Sequence, residues 1–347
     1  MSFSLSNYLE DKKLFIIAEM SCNHGGSLEK AKKLISAAKW AGADAIKIQT
    51  YTPACMTLDI DRPEFYYQGG NNDWRGRKLW DIYRDAHTPL DWHNDLFSHS
   101  RKEGILLFSS PFSGMGVDLL ESLGTPLYKL ASFEVNHFPL VEKIARTGKP
   151  CLLSTGVVNE VDLKNSISIF KNRGVEDLGL LHCVSEYPAD PETFYLKKIK
   201  SLNKYFSLPS GLSDHSLGLP MPVASIALGG VIIEKHFKLN DSDKTLDSSF
   251  SMSPKLFKLM VENCHLVKKS LDWNQTHSSQ KKNAKGLSRS LFLVKDIKKG
   301  ETFTEDHIGI LRPGTGLPPI HFKFFLGKKA RQDLLTGISL QLNHAQS

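Results

Sequence analysis

Residues 211–237 read GLSDHSLGLPMPVASIALGGVIIEKHF. Two short strand-like segments, which end at His215 and His236, flank an apolar run of helical character that ends in two glycines. This pattern predicts a strand–helix–strand unit with an imidazole at the carboxyl end of each strand. Because neighbouring parallel strands end at the same edge of a sheet, we expect the two rings to meet there.

The same alternation extends through the first 271 residues of the chain. Eight strand-like runs are predicted, at 14–20, 44–51, 104–112, 126–134, 150–156, 178–188, 207–215 and 231–237. The helices expected beside them are a segment that starts after Ser27 and stops at Gly42, then 89–103, 115–123, 137–147, 160–172, 192–204, 220–229 and 253–271. The runs are apolar on both faces, which predicts an α/β fold, a (β/α)₈ TIM barrel, rather than a doubly wound sheet.

Three stretches interrupt or follow this alternation. Residues 52–88 are rich in Gly, Asn and aromatic side chains, an insertion typical of a lid or specificity loop after a barrel strand. Residues 272–286 are polar and aperiodic, and we expect them to link a barrel domain, 1–271, to the last segment. Residues 287–347 combine short strand-like runs with a Pro/Gly-rich loop, which predicts a small β-rich domain.

The composition is that of a globular enzyme, with 41% hydrophobic and 23% charged residues. No apolar run is long enough to cross a bilayer, and the first residues lack the features of a signal peptide. The five cysteines are widely spaced and form no metal-binding motif, which favours reduced thiols. We therefore expect a cytoplasmic protein with no membrane partner.

The formal net charge of +7 resides wholly in the C-terminal region. Residues 281–347 contain 12 Lys and Arg against 5 Asp and Glu, whereas the rest of the chain holds 32 of each. A basic region can bind nucleic acid, but no aromatic-interleaved RNA motif or zinc finger accompanies it. We expect no nucleic-acid partner, and the charge favours an anionic substrate or an acidic partner surface.

Nearly every predicted strand presents polar residues near its carboxyl end, where TIM barrels carry their chemistry. These residues are Glu19, Lys47, Gln49, Ser109, Ser110, Lys129, Ser132, Glu134, Ser154, Thr155, Ser185, Tyr187, Ser213, His215 and His236. Lys47 and Lys129 lie in apolar strands, where an unpaired ammonium is costly, so an ion pair with Glu19 or Glu134 is one interpretation. Two lysines with four strand-end serines also suit a phosphate and a carboxylate. The sequence contains no P-loop or dinucleotide-binding motif.

The candidate metal ligands are His215 and His236. A single strand-end histidine is commonly structural, but two on neighbouring final strands, beside Asp214 and Glu234, favour a metal ion. Two imidazoles leave coordination positions for water and a substrate oxygen, as a Lewis-acid site requires. Mixed nitrogen and oxygen ligation suits Mn²⁺, Co²⁺ or Mg²⁺.

Ten motifs, in this order along nearly the whole chain, resemble those of the sialic acid synthase family. They are AEMSCNHGGSLEKA (18–31), GADAIKIQT (42–50), SSPF (109–112), YKLASFE (128–134), LSTG (153–156), HCVSEYP (182–188), GLSDHSLG (211–218), EKHF (234–237), RSLFLVKDIKKGETF (289–303) and LRPGTG (311–316). The resemblance implies a TIM barrel followed by an antifreeze-like (SAF) domain. It also implies condensation of phosphoenolpyruvate with the open-chain aldehyde of an N-acetylated amino sugar, which yields a nine-carbon 2-keto acid and phosphate.

The resemblance further implies a role for each rim residue. The catalytic residues would be Glu19, which would act on water, and His215 and His236, which would bind the metal ion. The usual ion in the family is Mn²⁺. The residues that would hold phosphoenolpyruvate are Lys47, Ser110, Lys129, Ser132, Ser154 and Ser213, and those that would contact the acceptor sugar are Gln49, Glu134, Tyr187 and Asp247. Arg312 would reach the acceptor's N-acetyl group from the C-terminal domain of the partner in a homodimer, where that domain caps the neighbouring barrel. The motif HCVSEYP departs from some relatives, which have Asn at the position of Ser185.

Within the family, residues 47–59 and the insertion at 69–80 are most similar to pseudaminic acid synthases. That similarity implies 2,4-diacetamido-2,4,6-trideoxy-altrose as the acceptor, with Trp74 or Tyr66 packed on its extra acetamido and 6-deoxy groups. The alternatives are an N-acetylneuraminate or legionaminate synthase, and, outside enzymes, an inactive barrel whose basic C-terminal domain binds glycans or polyanions. Packing within a lid is the simpler interpretation of the two aromatic side chains.

Overall fold

The computed structural model describes residues 3–69, 74–271 and 286–346 of the chain. The chain folds into two compact units, Met1–Leu271 and Asp272–Ser347. All but the last residue of the predicted linker 272–286 lies outside the described residues, as do residues 70–73 of the predicted insertion. Within the described ranges, no helix combines the length and the apolar character needed to cross a membrane.

The first unit is a closed barrel of eight parallel strands in sequential order, which confirms the predicted (β/α)₈ fold. Its strands are β1 (Phe15–Glu19), β2 (Ala45–Thr50), β3 (Leu106–Pro111), β4 (Tyr128–Leu130), β5 (Cys151–Ser154), β6 (Leu178–Cys183), β7 (Ser210–Asp214) and β8 (Ile232–His236). The barrel closes where β1 pairs with β8, with Glu19 in register with His236. The predicted strand–helix–strand unit is therefore the last part of the ring, beside β1.

Helices alternate with the strands, as predicted, and most of them surround the barrel on the outside. They are α1 (Leu5–Lys12), α2 (Leu28–Trp40), α3 (Pro53–Met56), α4 (Leu79–Ala86), α5 (His93–Glu103), α6 (Gly114–Ser122), α7 (Phe138–Ala145), α8 (Glu160–Asn172), α9 (Lys197–Phe206), α10 (Pro220–Ala227) and α11 (Pro254–Leu271). Ser27 caps α2 by accepting a hydrogen bond from the Lys30 backbone. The helix predicted at 192–204 differs: a 3₁₀ turn, Pro191–Thr193, precedes α9, and Tyr195 between them has a φ of 43° that no continuous helix accommodates.

The barrel interior is filled by one face of each strand and by the N-terminal helix. The interior cluster contains Phe15, Ile17, Ala45, Phe108, Leu127, Leu152, Leu181 and Ile232, together with Leu5 of α1. Asp177 holds α1 in place, since its carboxylate accepts hydrogen bonds from the backbone N–H groups of Leu5 and Ser6 at 2.7 and 2.9 Å. The other face of the strands packs against the surrounding helices. This apolar layer fills the barrel and confines polar chemistry to its carboxyl end.

The second unit has a small core of its own. Strands β9 (Ser290–Leu293) and β10 (Ile308–Leu311) form an antiparallel pair, and a short helix, α12 (Phe322–Phe325), follows. Their apolar side chains join Ile297, Phe303 and Leu340 in a separate cluster. Among the described residues of this unit the regular sheet has two strands, and isolated bridges connect further segments to it.

Candidate active site

A polar cavity opens at the carboxyl ends of the barrel strands, directly above the apolar interior. We call it the inner cavity, and its lining residues are Glu19, Lys47, Gln49, Ser110, Phe112, Lys129, Ala131, Ser132, Phe133, Ser154, Cys183, Tyr187, Ser213, His215, Glu234 and His236. Because side chains alternate along a strand, residues two apart lie on the same face. Glu19 therefore follows the interior residue Ile17, Lys47 follows Ala45, and His236 follows Glu234. Of the residues to which the family resemblance assigns a role in catalysis, metal binding, phosphoenolpyruvate binding or contact with the acceptor, all but Glu134, Asp247 and Arg312 line this cavity.

Lys47 lies at the centre of a buried charge network. Its Nζ atom is 2.7 Å from Oε2 of Glu19 and 3.6 Å from Oε1 of Glu234, and it donates a hydrogen bond to Ser110 at 3.3 Å. Burial alone would lower the pKa of Lys47, but the two carboxylates outweigh it and raise this pKa. Gln49 donates to the other oxygen of Glu19 at 3.0 Å. The ion pair considered for Lys47 is therefore present.

Lys129, by contrast, has no carboxylate oxygen within 4 Å in the described part of the chain. It is 2% exposed, and its ammonium donates to the Leu130 carbonyl at 3.2 Å. Glu234 and Glu134 interact with this charge only at longer range. A buried ammonium without a direct ion pair is costly in the free protein, and an anion in the cavity would relieve that cost. Lys129 is thus the clearest sign that the inner cavity binds a negatively charged ligand.

Small hydroxyl groups and a glycine lie beside Lys129. The Oγ atoms of Ser132 and Ser185 are 2.9 Å apart, and the buried Oγ of Ser154 has no hydrogen-bond partner among the described residues. A Cβ on Gly156 would come within 2.5 Å of the Ser185 hydroxyl and 2.7 Å of the Cys183 sulfur. A larger residue there would displace these side chains, and the small hydroxyl groups, above all the unpartnered one of Ser154, suit the oxygens of a phosphate or carboxylate.

The two histidine rings meet in the inner cavity, with centroids 5.4 Å apart. Nδ1 of His215 donates to the Val184 carbonyl at 2.8 Å, which leaves Nε2 with its lone pair. Nδ1 of His236 is buried without a hydrogen-bond partner among the described residues and lies 3.4 Å from Oδ2 of Asp247. Burial, and then the neighbouring His236, lower the pKa of His215 to about 3.

Both rings line the inner cavity and are suited to bind a cation. The hydrogen bond to Val184 fixes the His215 ring, as partners of metal-binding histidines do. No group of three or more His, Cys, Asp or Glu within the described ranges could hold a metal ion. The residues present fit an ion with two protein ligands and open positions for water and substrate oxygens.

A second cavity adjoins the first on its outer side. We call it the outer chamber, and its lining residues are Ser21, Gln49, Tyr51, Tyr67, Trp74, Leu79, Ile82, Tyr83, Ala86, Tyr187, His236, Leu246 and Asp247. Gln49, Tyr187 and His236 line both cavities, so the two are continuous. Helix α4 and Trp74 belong to the predicted insertion 52–88, which therefore forms one wall of the site.

The sequence profile of the NeuB family matches residues 34–276, and that of the SAF domain matches residues 288–344. The chain belongs to the NeuB family. It is 45% identical over 339 residues to the pseudaminic acid synthase of Campylobacter jejuni, an alignment that covers 97% of this chain and 98% of the relative. It is 43% identical over 321 residues to the pseudaminic acid synthase of Helicobacter pylori, with 92% and 94% covered.

A solved structure of a NeuB-like enzyme shares this architecture. The N-acetylneuraminic acid synthetase of Leptospira borgpetersenii superposes with a TM-score of 0.69 at 30% identity. The superposition covers 78% of this chain and 90% of that one. The predicted resemblance to the sialic acid synthase family is thus confirmed, together with the barrel and the SAF domain.

The three predicted residues outside the inner cavity occupy different places in this NeuB family chain. Asp247 lines the outer chamber, where burial would raise its pKa but His236 lowers it. Glu134 lies near Lys129, and its buried Oε2 has no hydrogen-bond partner among the described residues. Burial raises the pKa of Glu134 to about 7, against the opposing effect of Lys129. Arg312 is an exposed residue of the second unit.

Several expectations about neighbouring residues were wrong. The carboxylate of Asp214 does not face the inner cavity: it pairs at 2.6 Å with the buried Lys235, on the opposite face of the strands from His236. Ser109 hydrogen-bonds to Thr50 and the Ile48 carbonyl outside the inner cavity, and Thr155 lines a separate groove between α8 and α9. The reason is the alternation of side chains along a strand, which sends adjacent residues to opposite faces.

Other residues of this NeuB family site were not predicted as site residues. Glu234 contacts Lys47 and accepts a hydrogen bond from Ser213 at 3.3 Å. Its position two residues before His236 places it on the same face, a signal available in the sequence. Tyr51 and Tyr83 of the outer chamber were also missed. Tyr66, by contrast, does not line the chamber, since its hydroxyl donates to Asp61 at 2.8 Å in the same insertion.

Proposed function

We propose that this NeuB family member is a pseudaminic acid synthase. It condenses phosphoenolpyruvate with 2,4-diacetamido-2,4,6-trideoxy-altrose and yields pseudaminic acid and phosphate. The observation that carries the proposal is the buried ammonium of Lys129, which has no carboxylate oxygen within 4 Å among the described residues, beside the unpartnered hydroxyl of Ser154 and in the same cavity as the two histidines. The similarity to pseudaminic acid synthases over nearly the whole chain supports the choice of acceptor.

Phosphoenolpyruvate binds at the base of the inner cavity in this proposal. Its phosphate and carboxylate are held by Lys47, Ser110, Lys129, Ser132, Ser154 and Ser213, which line that cavity. Charge-assisted hydrogen bonds from the lysines supply most of the affinity, and the hydroxyl groups fix the orientation. The negative charge of phosphoenolpyruvate also stabilises the buried ammonium of Lys129, because it provides the charge partner that this group lacks at close range.

The aldehyde of the acceptor lies beside His215 and His236. A divalent cation held by these two residues, with Mn²⁺ expected and Co²⁺ or Mg²⁺ also suited, would supply a Lewis acid for the aldehyde oxygen. Gln49, Tyr187, Asp247 and Glu134 position the rest of the acceptor. Gln49 and Tyr187 line both cavities and Asp247 lines the outer chamber, which supports this arrangement for these three residues.

The chain's own residues then order the reaction. C3 of phosphoenolpyruvate forms the new carbon–carbon bond with the aldehyde carbon, and positive charge develops at C2. The carboxylate of Glu19 lines the inner cavity, held by Lys47 at 2.7 Å and by Gln49 at 3.0 Å, and its remaining lone pairs can accept a hydrogen bond from water and direct that water to C2. The resulting intermediate loses phosphate by cleavage of its C2–O bond, which leaves the 2-keto acid. Positioning and electrostatic stabilisation dominate such catalysis.

The active form is a homodimer in this proposal. Arg312 of one protomer reaches the N-acetyl group of the acceptor bound in its partner's barrel, and the basic C-terminal domain caps the cavity. The exposure of Arg312 and the separate core of the second unit support a role outside its own domain. We also place the reaction in the cytoplasm, since all five cysteines are free thiols in the structure.

Phosphate release measured with three acceptors tests the proposal. We expect turnover with the diacetamido altrose sugar to exceed that with N-acetylmannosamine or the diacetamido acceptor of legionaminate synthases, and a chelator to abolish it. Preference for another acceptor would assign an N-acetylneuraminate or legionaminate synthase instead. No phosphate release with any acceptor would favour an inactive barrel that binds glycans or polyanions.

A further inference from the structure

The outer chamber contains a buried hydrogen-bond donor that the structure leaves unused. The indole Nε1–H of Trp74 is buried and has no acceptor among the described residues. Burying an indole N–H without an acceptor is unfavourable, so its presence in the wall of a cavity points to a ligand oxygen as its partner. The ring is held between Tyr67 and Tyr187, with centroid distances of 5.5 and 5.9 Å, which fixes the position of the donor.

One face of helix α4 forms a largely apolar part of the same chamber wall. Leu79, Ile82, Tyr83 and Ala86 all line the chamber, at the spacing that places residues on one face of helix α4. Apart from tyrosines, the ionisable lining residues are His236 and Asp247, which contact each other at the inner end. This part of the chamber therefore combines neutral donors, the indole N–H and tyrosine hydroxyl groups, with an apolar surface suited to methyl groups.

We propose that Trp74 determines specificity by donating its indole N–H to the carbonyl oxygen of an acetamido group on the acceptor carbon distal to the aldehyde. The apolar face of α4 then receives the acetamido methyl and a deoxy terminal carbon. This inference rests on the proposed condensation, because the aldehyde must lie beside the histidines for the distal carbons to extend into the chamber. It assigns acceptor selection to the insertion rather than to the barrel strands.

The chemistry of the chamber discriminates between acceptors. A hydroxyl group in place of the distal acetamido group ends two bonds closer to the sugar carbon and does not reach the same donor. It leaves the indole N–H unpaired, and a site with an unpaired buried donor rejects such a ligand. A terminal hydroxymethyl group would lose its hydrogen bonds to water against Leu79 and Ile82, whereas a methyl group is stabilised there.

Trp74→Phe tests the inference, since phenylalanine keeps an aromatic ring between Tyr67 and Tyr187 but removes the donor. The control is Tyr66→Phe, which removes a hydroxyl from the same insertion outside the chamber. Both variants and the wild type are assayed by phosphate release with the diacetamido sugar and with its analogue that carries a distal hydroxyl group. The KM for phosphoenolpyruvate and the melting temperature are measured in parallel.

We expect Trp74→Phe to lower kcat/KM about tenfold for the diacetamido sugar and less than about twofold for the hydroxyl analogue, with the KM for phosphoenolpyruvate unchanged. The Tyr66→Phe control should retain the wild-type ratio between the two acceptors. Equal losses for both acceptors, an altered KM for phosphoenolpyruvate, or no loss at all would overturn the role of Trp74 while leaving the synthase function intact. Failure of the wild type to use either acceptor would instead overturn the proposed function and this inference with it.

Discussion

Replacement of Glu134 by glutamine should remove a pH-dependent loss of stability from the barrel. The carboxyl group of Glu134 is largely buried near Lys129, and burial raises its pKa to about 7 from its ordinary value near 4.5. Glutamine has nearly the same shape but does not ionise. The wild type and the Glu134→Gln variant should therefore differ in how their free energies of unfolding depend on pH.

The sign and size of the difference follow from proton linkage. Below pH 4.5 the carboxyl group is protonated in both the folded and the unfolded chain. Between about pH 4.5 and 7 the unfolded chain releases this proton while the folded chain keeps it, so stability falls as pH rises through this window. From pH 4.5 to 8.5 the wild type should lose about 3 kcal/mol relative to the variant.

Urea unfolding at pH 4.5 and pH 8.5, followed by tryptophan fluorescence, measures this difference. Trp40, Trp74, Trp80 and Trp92 all belong to the first unit, so the signal reports mainly on the barrel. The change in unfolding free energy between the two pH values is determined for each protein, and the value for the variant is subtracted from that for the wild type. This double difference isolates the carboxyl group of Glu134 from all other titrating residues. A wild type that loses no stability relative to Glu134→Gln over this range would refute the assignment of a buried, proton-retaining carboxyl group.

Three further variants test other parts of the site. Lys129→Met should raise the KM for phosphoenolpyruvate about thirtyfold, roughly the 2 kcal/mol of a hydrogen bond to a charged group, while Lys143→Met on the exterior should not change it; equal effects would contradict the anion site. Gly156→Ala should raise the same KM about tenfold, because the Cβ of the new alanine would meet the Ser185 hydroxyl at 2.5 Å. An unchanged KM would show that the serine hydroxyls beside Gly156 do not bind phosphoenolpyruvate. Arg312→Ala should weaken acceptor use at an unchanged melting temperature, and an unaltered acceptor KM would argue against the contribution from the partner subunit.

The sequence predicts the barrel well because short apolar strand segments and amphipathic helices alternate regularly along the first 271 residues. The apolar runs and the capped helices recur at regular spacing, and the eight predicted strands match β1 to β8. Helix α1 is different. Its Leu5 packs into the barrel interior, and its first turn is held by hydrogen bonds to Asp177, 171 to 172 residues further along the chain. Long-range contacts of this kind leave no trace in local spacing.

The inner cavity was predicted from the polar residues at strand ends, but the face of each strand was not assigned. Successive side chains of a strand point to opposite faces of the barrel. Counting from the interior residues in steps of two would have placed Ser110 and Glu234 in the cavity, and Ser109 and Asp214 outside it. The outer chamber could not be predicted, since its walls come from segments far apart in the chain, such as Tyr51, Trp74 and Leu246. For the same reason the sequence left Tyr66 and Trp74 as equal candidates, which the structure separates.

The products of a reaction with isotopically labelled phosphoenolpyruvate test the central claim most directly. The enzyme is incubated with Mn²⁺, the diacetamido altrose sugar and phosphoenolpyruvate that carries ¹⁸O in its bridging C–O–P position, and the products are analysed by mass spectrometry. We expect a nine-carbon diacetamido 2-keto acid without the label and phosphate that retains it, because the C2–O bond breaks. Label in the 2-keto acid, or no condensation product, would contradict the account.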